Sequence, residues 1–155
     1  MTEAADAGAG GSKTCPSGPA GAGSVVLGVI AARGHVAYIN PNIPVTARLL
    51  DSFSQNGVLA ENRVRFACRC IQRECIQWKE KENAQAGRCG LIDHAIDSLK
   101  IEAGPDTLPD CGIRGTCRWF AQHAVQACTV CPEIIRRSGA QCGAAALEAD
   151  TRSAG

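Results

Sequence analysis

Ten cysteines are spread over 155 residues, and eight of them fall between Cys68 and Cys131. They read Cys68-Arg-Cys70-Ile-Gln-Arg-Glu-Cys75, then Cys89, then Cys111, Cys117, Cys128 and Cys131-Pro132. Thiols at this density pair as disulfides, bind metal or act as nucleophiles. A nucleophile needs a base oriented on one thiol, and His35, His94 and His123 offer no local signature for one. Compartment separates the other two. The chain opens Met-Thr-Glu-Ala-Ala-Asp, without the basic start and greasy run of a secretory signal. The expected setting is the reducing cytoplasm, where dense cysteine patterns bind metal or do redox chemistry more often than they form disulfides.

The eight thiols divide into two runs of four: Cys68, Cys70, Cys75 and Cys89, then Cys111, Cys117, Cys128 and Cys131. Four thiolates are the complement of a [4Fe–4S] cluster or of a Cys₄ zinc site. Zinc sites favour two close pairs separated by two to four residues. Cys128-x₂-Cys131 fits that spacing and Cys70-x₄-Cys75 fits at its edge, but Cys111-x₅-Cys117 and the isolated Cys89 do not. Iron–sulfur clusters accept wider and less regular spacings. Cys128-Thr-Val-Cys131-Pro132 resembles the Cys-Pro ending of bacterial ferredoxin motifs. The resemblance covers five residues and implies no ferredoxin fold, because the full run of four closely spaced cysteines is absent. Iron–sulfur binding, of up to two [4Fe–4S]-type centres, is the first reading; structural Zn²⁺ is the second. Disulfides or buried thiols are the third, and Cys68 could simply extend the apolar face of a strand, since free Cys packs as a small hydrophobe.

Residues near the thiols fit anionic centres. Between positions 63 and 137 there are nine Arg and three Lys against nine Asp and Glu, a surplus of three. Arg69, Arg73, Arg88, Arg114 and Arg118 are candidates to donate hydrogen bonds to sulfur, which steadies thiolates and tunes a potential. Trp78 and Trp119 would shield a centre from water. The plain alternative is a basic solvated surface with two core tryptophans. Cys15 and Cys142 lie in Ala/Gly/Pro-rich ends and are left out of the sites, as oxidation-prone bystanders.

Two patterns bear on the arrangement. Cys70-x₄-Cys75-x₂-Trp78 and Cys111-x₅-Cys117-x-Trp119 form a weak internal repeat, each followed by a further Cys after a polar stretch. A helix is predicted over 118–127, and one straight helix from Cys117 to Cys128 would separate their Cα atoms by roughly 16 Å. Either that helix breaks, or the two thiols serve different centres.

The elements that must position these residues follow in order. Val25 to Ile30 and Val36 to Ile39, joined through Arg33-Gly34, read as a β-hairpin. Asn40-Pro41-Asn42-Ile43-Pro44 is expected to end regular structure. Thr46 caps a short amphipathic helix closing near Asn56-Gly57. Val64, Phe66, Cys68 and Cys70 alternate with Arg63, Arg65 and Arg69, as in a strand with one apolar and one basic face. Residues 76–86 are expected to be helical with solvated Glu80 and Glu82. Leu91, Ile92, Ala95, Ile96 and Leu99 mark a clear amphipathic helix. Asp93-His94 within it reads as a surface pair, His123 as a partly exposed helical residue, and a last helix is expected to start at Pro132.

The expected fold is therefore α+β: a small N-terminal antiparallel sheet with one helix (25–70), then a helical Cys-rich half (71–137) wrapped on the centres. Residues 1–24 and 138–155 are too poor in apolar side chains to offset their ordering entropy and read as disordered tails. A net charge of +1 gives no footprint for nucleic acid or for an anionic membrane. The longest apolar stretch, Val25 to Ala32, is too short to span a bilayer. The expected function is a small redox carrier or redox/iron sensor that meets a redox partner protein; the zinc reading makes it an interaction module instead.

Overall fold

The computed structural model describes residues 12–80, 87–101 and 108–135. Its centre is a four-stranded antiparallel sheet in the order β1-β4-β2-β3, formed by β1 (Thr14–Gly18), β2 (Val25–Ile30), β3 (Val36–Pro44) and β4 (Val64–Arg69). Helix α1 (Ala47–Gln55) follows β3, and β5 (Trp78–Lys79) pairs with β6 (Arg88–Cys89) as a separate two-stranded ladder. Three further α-helices follow among the described residues: α2 (Gly90–Leu99), α3 (Arg118–His123) and α4 (Val125–Val130). The α+β architecture expected from the sequence is present.

The β2–β3 hairpin forms as its Val and Ile content predicts, with Val29 opposite Ala37 and Ile30 opposite Val36. Beyond the expected break at Asn40-Pro41, β3 continues to Pro44 and pairs Val25 with Pro44. A shift in register between Val26 and Gly28 absorbs the irregularity. Gly28 is required there, because a Cβ would collide with the Ala37 carbonyl. Helix α1 begins as read: the Thr46 hydroxyl accepts from the Leu49 amide at 3.2 Å, satisfying one of the unpaired first-turn donors.

Both faces of the sheet are covered, which explains why β4 does not alternate between buried and exposed. Val64 and Phe66 pack with Val26 and with Val45, Leu49 and Phe53 around α1. Ala67 packs with Leu27 and Ile113 on the opposite side. Arg65, expected on a basic solvated face, is 2 % exposed. Its guanidinium donates to the carbonyls of Pro16, Cys131 and Ile134, so the charge is buried with partners. The third apolar cluster gathers Ile92, Ala95, Trp119, Ala127, Val130 and Cys131 from α2, α3 and α4.

Four local expectations are corrected. Thr14–Gly18, assigned to a tail, is an edge strand paired to β4, with Cys15 opposite Cys68. Its apolar content is low, but β4 supplies the hydrogen-bond partner that a local reading cannot see. Trp78–Lys79 is a strand rather than the start of a helix; residues 81–86 lie outside the described residues. The predicted 118–127 helix is two, because Ala124 takes φ 50, ψ −131 between α3 and α4. At Pro132 only one 3₁₀ turn forms, Cys131–Glu133. The structure does not support the sequence repeat, although each Cys pair brackets a 3₁₀ turn, Gln72–Glu74 and Arg114–Thr116. The segments then diverge, Trp78 entering a strand and Trp119 a helix.

Candidate functional site

Two narrow cavities are each lined by four cysteines. Cys15, Cys70, Cys75 and Cys89 line the first, with Trp78, Arg118 and Trp119, around a cavity of about 20 Å³. Cys111, Cys117, Cys128 and Cys131 line the second, with Tyr38, Arg114 and Trp119, around a cavity of about 20 Å³. They are called here the Cys70 cavity and the Cys111 cavity.

The Cys70 cavity is assembled from four separate pieces of chain. Side chains alternate along a strand, so β1 sends Cys15 into this cavity and the next residue, Pro16, into the other. Cys70 lies just past β4, its amide held at 2.8 Å by the Lys13 carbonyl. Cys75 closes the first 3₁₀ turn, and the Gln77 amide donates to its Sγ at 3.4 Å. Cys89 stands directly opposite Trp78 in the β5–β6 ladder, and opposed residues share a face. Cys89 is also the last residue before α2, held by a pair of bonds to the Gln122 side chain, 2.7 Å from its amide and 3.1 Å from its carbonyl. Gly87 is confined to glycine by close approach to the Trp78 indole, where a Cβ would collide.

The Cys111 cavity depends on the break at Ala124. Cys117 precedes α3 and Cys128 lies in α4, and the turn between the helices lets both face one space. Cys131 follows α4. Its Sγ accepts from Arg65 Nη2 at 3.4 Å, and the Tyr38 hydroxyl lies within interaction range of the same sulfur. The Arg114 guanidinium is raised in pKa by Cys128 above all. β1 is stitched to this region by a bridge from Thr14 to Cys117 and by a 2.8 Å bond between the Thr14 and Thr116 hydroxyls.

Burial sets the acid–base state of these thiols. It pushes Cys89 and Cys111 upward and Cys117 up to about 12, because a thiolate is poorly solvated in the interior. Backbone N–H groups partly offset this: Ile92 and Leu91 for Cys89, Ile113 for Cys111, Phe120 and Trp119 for Cys117. The Trp119 indole also lies near Cys89, without making a hydrogen bond to it. Thiols shifted upward in this way are held in the neutral form.

The donors around the cavities are incompletely used. Among the described residues, four buried side-chain nitrogens lack a hydrogen-bond partner: Trp78 Nε1, Trp119 Nε1, Arg114 Nε and Arg118 Nε. All four belong to residues that line one or both cavities. Buried donors are almost always paired, and an unpaired one costs on the order of 1–3 kcal/mol. Four together, around eight thiols, form a donor set suited to an anionic, sulfur-rich guest. The sulfurs do not converge on a point, however. Among the described residues no three His, Cys, Asp or Glu side chains are placed to hold a single metal ion.

Of the predicted site residues, the structure brings together Cys70, Cys75, Cys89, Trp78, Trp119 and Arg118 in one cavity, and Cys111, Cys117, Cys128, Cys131 and Arg114 in the other. It does not bring in Cys68, Arg69, Arg73 or Arg88. Cys68 and Arg69 line an open hollow beside Lys13 and Asn42. Arg73 is exposed and pairs with Glu80 at 2.7 Å. Arg88 makes a two-pronged contact with Asp93, at 2.9 and 2.7 Å, and His123 Nε2 approaches the same carboxylate at 2.6 Å. Asp93 therefore pairs across elements rather than with His94, which lies 3.3 Å from Ser98. Cys15, Tyr38 and Arg65 were missed. Arg65 carried a signal, as an Arg set between Val64 and Phe66 inside β4, whereas Cys15 carried none.

No family model, curated protein or solved structure matches this chain.

Proposed function

We propose that this protein binds two iron–sulfur clusters of the [4Fe–4S] type, one in each four-cysteine cavity, and acts in electron transfer or in redox or iron sensing. Cys15, Cys70, Cys75 and Cys89 would hold one cluster, and Cys111, Cys117, Cys128 and Cys131 the other. A bound cluster supplies one-electron redox chemistry at a potential set by charge, burial and hydrogen bonds to its sulfurs.

The single observation that carries this reading is the division of eight cysteines into two cavities, each walled by buried N–H donors that have no partner. Sulfide and thiolate sulfur would accept from Trp78, Trp119, Arg114 and Arg118, removing the cost of leaving those donors dry. Trp119, 1 % exposed, and Trp78 would exclude water. Cys15 replaces Cys68 in the donor set suggested by the sequence.

Structural zinc is the weaker reading. A tetrahedral zinc with bonds of about 2.3 Å draws its four sulfurs to within about 4 Å of one another, and no three potential ligands converge in that way among the described residues. A cubane also needs four thiolates around one centre, but spreads them over separate iron corners and so holds them wider apart than a single ion does.

The setting proposed is cytoplasmic, with a redox partner protein. No helix among the described residues is long and apolar enough to cross a membrane. The test is anaerobic purification followed by visible absorption and by iron, zinc and acid-labile sulfide analysis. Iron and sulfide in equal amounts, with a brown colour that bleaches in air, are expected. A colourless protein carrying stoichiometric zinc would overturn the proposal in favour of the interaction module.

A further inference from the structure

We propose that Cys15 and Cys68 form a reversible disulfide across β1 and β4 when the chain meets an anionic disulfide such as oxidised glutathione. The two residues are Cα partners in the antiparallel ladder, and both are thiols in this structure. Opposed residues of a ladder share one face of the sheet. Cys15 borders the Cys70 cavity and Cys68 an open hollow, so closing the bond turns the Cys15 sulfur out of the cavity. The bond requires no metal.

The register fixes the spacing. The Cys70 amide donates to the Lys13 carbonyl at 2.8 Å, which marks positions 13 and 70 as a hydrogen-bonded pair. Bonded and non-bonded pairs alternate along an antiparallel ladder, so Thr14 and Arg69 are a non-bonded pair and Cys15 and Cys68 a bonded one. The Cα atoms of a bonded pair lie about 5.5 Å apart, inside the roughly 4.4–6.8 Å that a disulfide spans. The Cys68 sulfur already leans over β1: a Cβ added at Gly18 would come within 2.6 Å of Cys68 Sγ, and glycine leaves that room open. Side chains of a bonded pair stand farther apart than those of a non-bonded one. The bridge is therefore strained and easily reduced, as a switch requires.

The oxidant enters from the Cys68 side. Cys68 lines an open hollow of about 340 Å³ with Lys13, Thr14, Asn42 and Arg69, and no carboxylate is among the described residues around it. Two cations without a counter-charge attract an anionic oxidant. The Cys68 thiolate attacks one sulfur of oxidised glutathione and releases one glutathione thiol, leaving a mixed disulfide. The Cys15 thiolate then attacks the Cys68 sulfur and releases the second glutathione thiol. The chain gives up two thiol hydrogens and two electrons, and the oxidant takes both. In a reducing compartment such protein disulfides are transient and redox-sensing.

Trypsin gives the readout, because Arg69 separates Cys68 from Cys70 and Arg73 separates Cys70 from Cys75. The full chain is purified anaerobically, treated with oxidised glutathione both as purified and after iron removal with a chelator, then alkylated, digested and read by mass spectrometry. The expected product joins peptide 14–33 to peptide 66–69 in most chains of at least one preparation. It should vanish in Cys68→Ser and on adding excess reduced glutathione. Absence of the bridge from both preparations overturns the proposal. So does Cys15 joined to Cys70 or Cys75 instead, or a glutathione adduct that stays on Cys68. A bridge equally abundant in denaturant overturns its dependence on the ladder, and one that resists reduced glutathione overturns its reversibility. Iron and sulfide in the untreated chain are measured separately, so failure of this proposal and failure of the cluster reading are told apart.

Discussion

Cys117 and Cys128 line one cavity because the chain between them turns at Ala124. A continuous helix would have held them roughly 16 Å apart. The turn places Ala124 at φ 50, ψ −131, a conformation that disfavours an L side chain and suits glycine.

Ala124→Gly should therefore relieve strain. The expected gain is about 1 kcal/mol in unfolding free energy, with cluster content unchanged. Ala124→Val should cost at least as much and lower the iron bound at the Cys111 site. Chemical denaturation of both variants, with iron analysis, checks the pair.

Cys15 and Cys68 face each other across β1 and β4 but are expected to behave differently. Cys15→Ser should lose about half of the bound iron, since it removes one proposed ligand of the Cys70 site. Cys68→Ser should lose none, because Cys68 lines the open hollow and neither four-cysteine cavity. Visible absorption per mole of chain distinguishes them, and equal losses would contradict the ligand sets given above.

Arg65→Met would leave the carbonyls of Pro16, Cys131 and Ile134 without their buried donor. Removing a buried charged partner from several acceptors should cost about 3 kcal/mol, and more than Arg73→Ala. The exposed Arg73–Glu80 pair should be worth about 1 kcal/mol at most. Urea midpoints of the two variants test the ranking.

Asp93 holds β6 to α2 and α3 through Arg88 and His123. Its burial alone would raise its pKa, but the hydrogen bonds and charges of Arg88 and His123 prevail and hold it below 3.8. A carboxyl depressed in the folded state contributes stability above its unfolded pKa. That contribution is lost as pH falls from about 4 through the lower folded value. Asp93→Asn should lower stability by about 1–2 kcal/mol at neutral pH and flatten the fall below pH 4. Thermal unfolding at pH 7, 4 and 3 measures both.

The parts of this molecule legible in its sequence are those governed by local pattern. Val/Ile content gives the β2–β3 hairpin, Thr46 gives the start of α1, and Leu91, Ile92, Ala95 and Leu99 give α2. The missed features depend on partners distant in the chain. Cys15 becomes a wall of the Cys70 cavity only because β4 accepts β1 as a neighbour. Arg65 is buried only because three carbonyls from two other segments meet it. The break at Ala124 has no glycine or proline to announce it. The cysteine count and the approximate division into fours were visible, but exchanging Cys68 for Cys15 required the sheet.

Native mass spectrometry of the anaerobically purified chain tests the central claim most directly. The account predicts a main species heavier than the apoprotein by two clusters, each of four irons and four sulfides, and a Cys15→Ser or Cys128→Ser species heavier by one. A chain heavier by zinc ions alone, or one that stays at the apoprotein mass after anaerobic reconstitution with iron and sulfide, would contradict it.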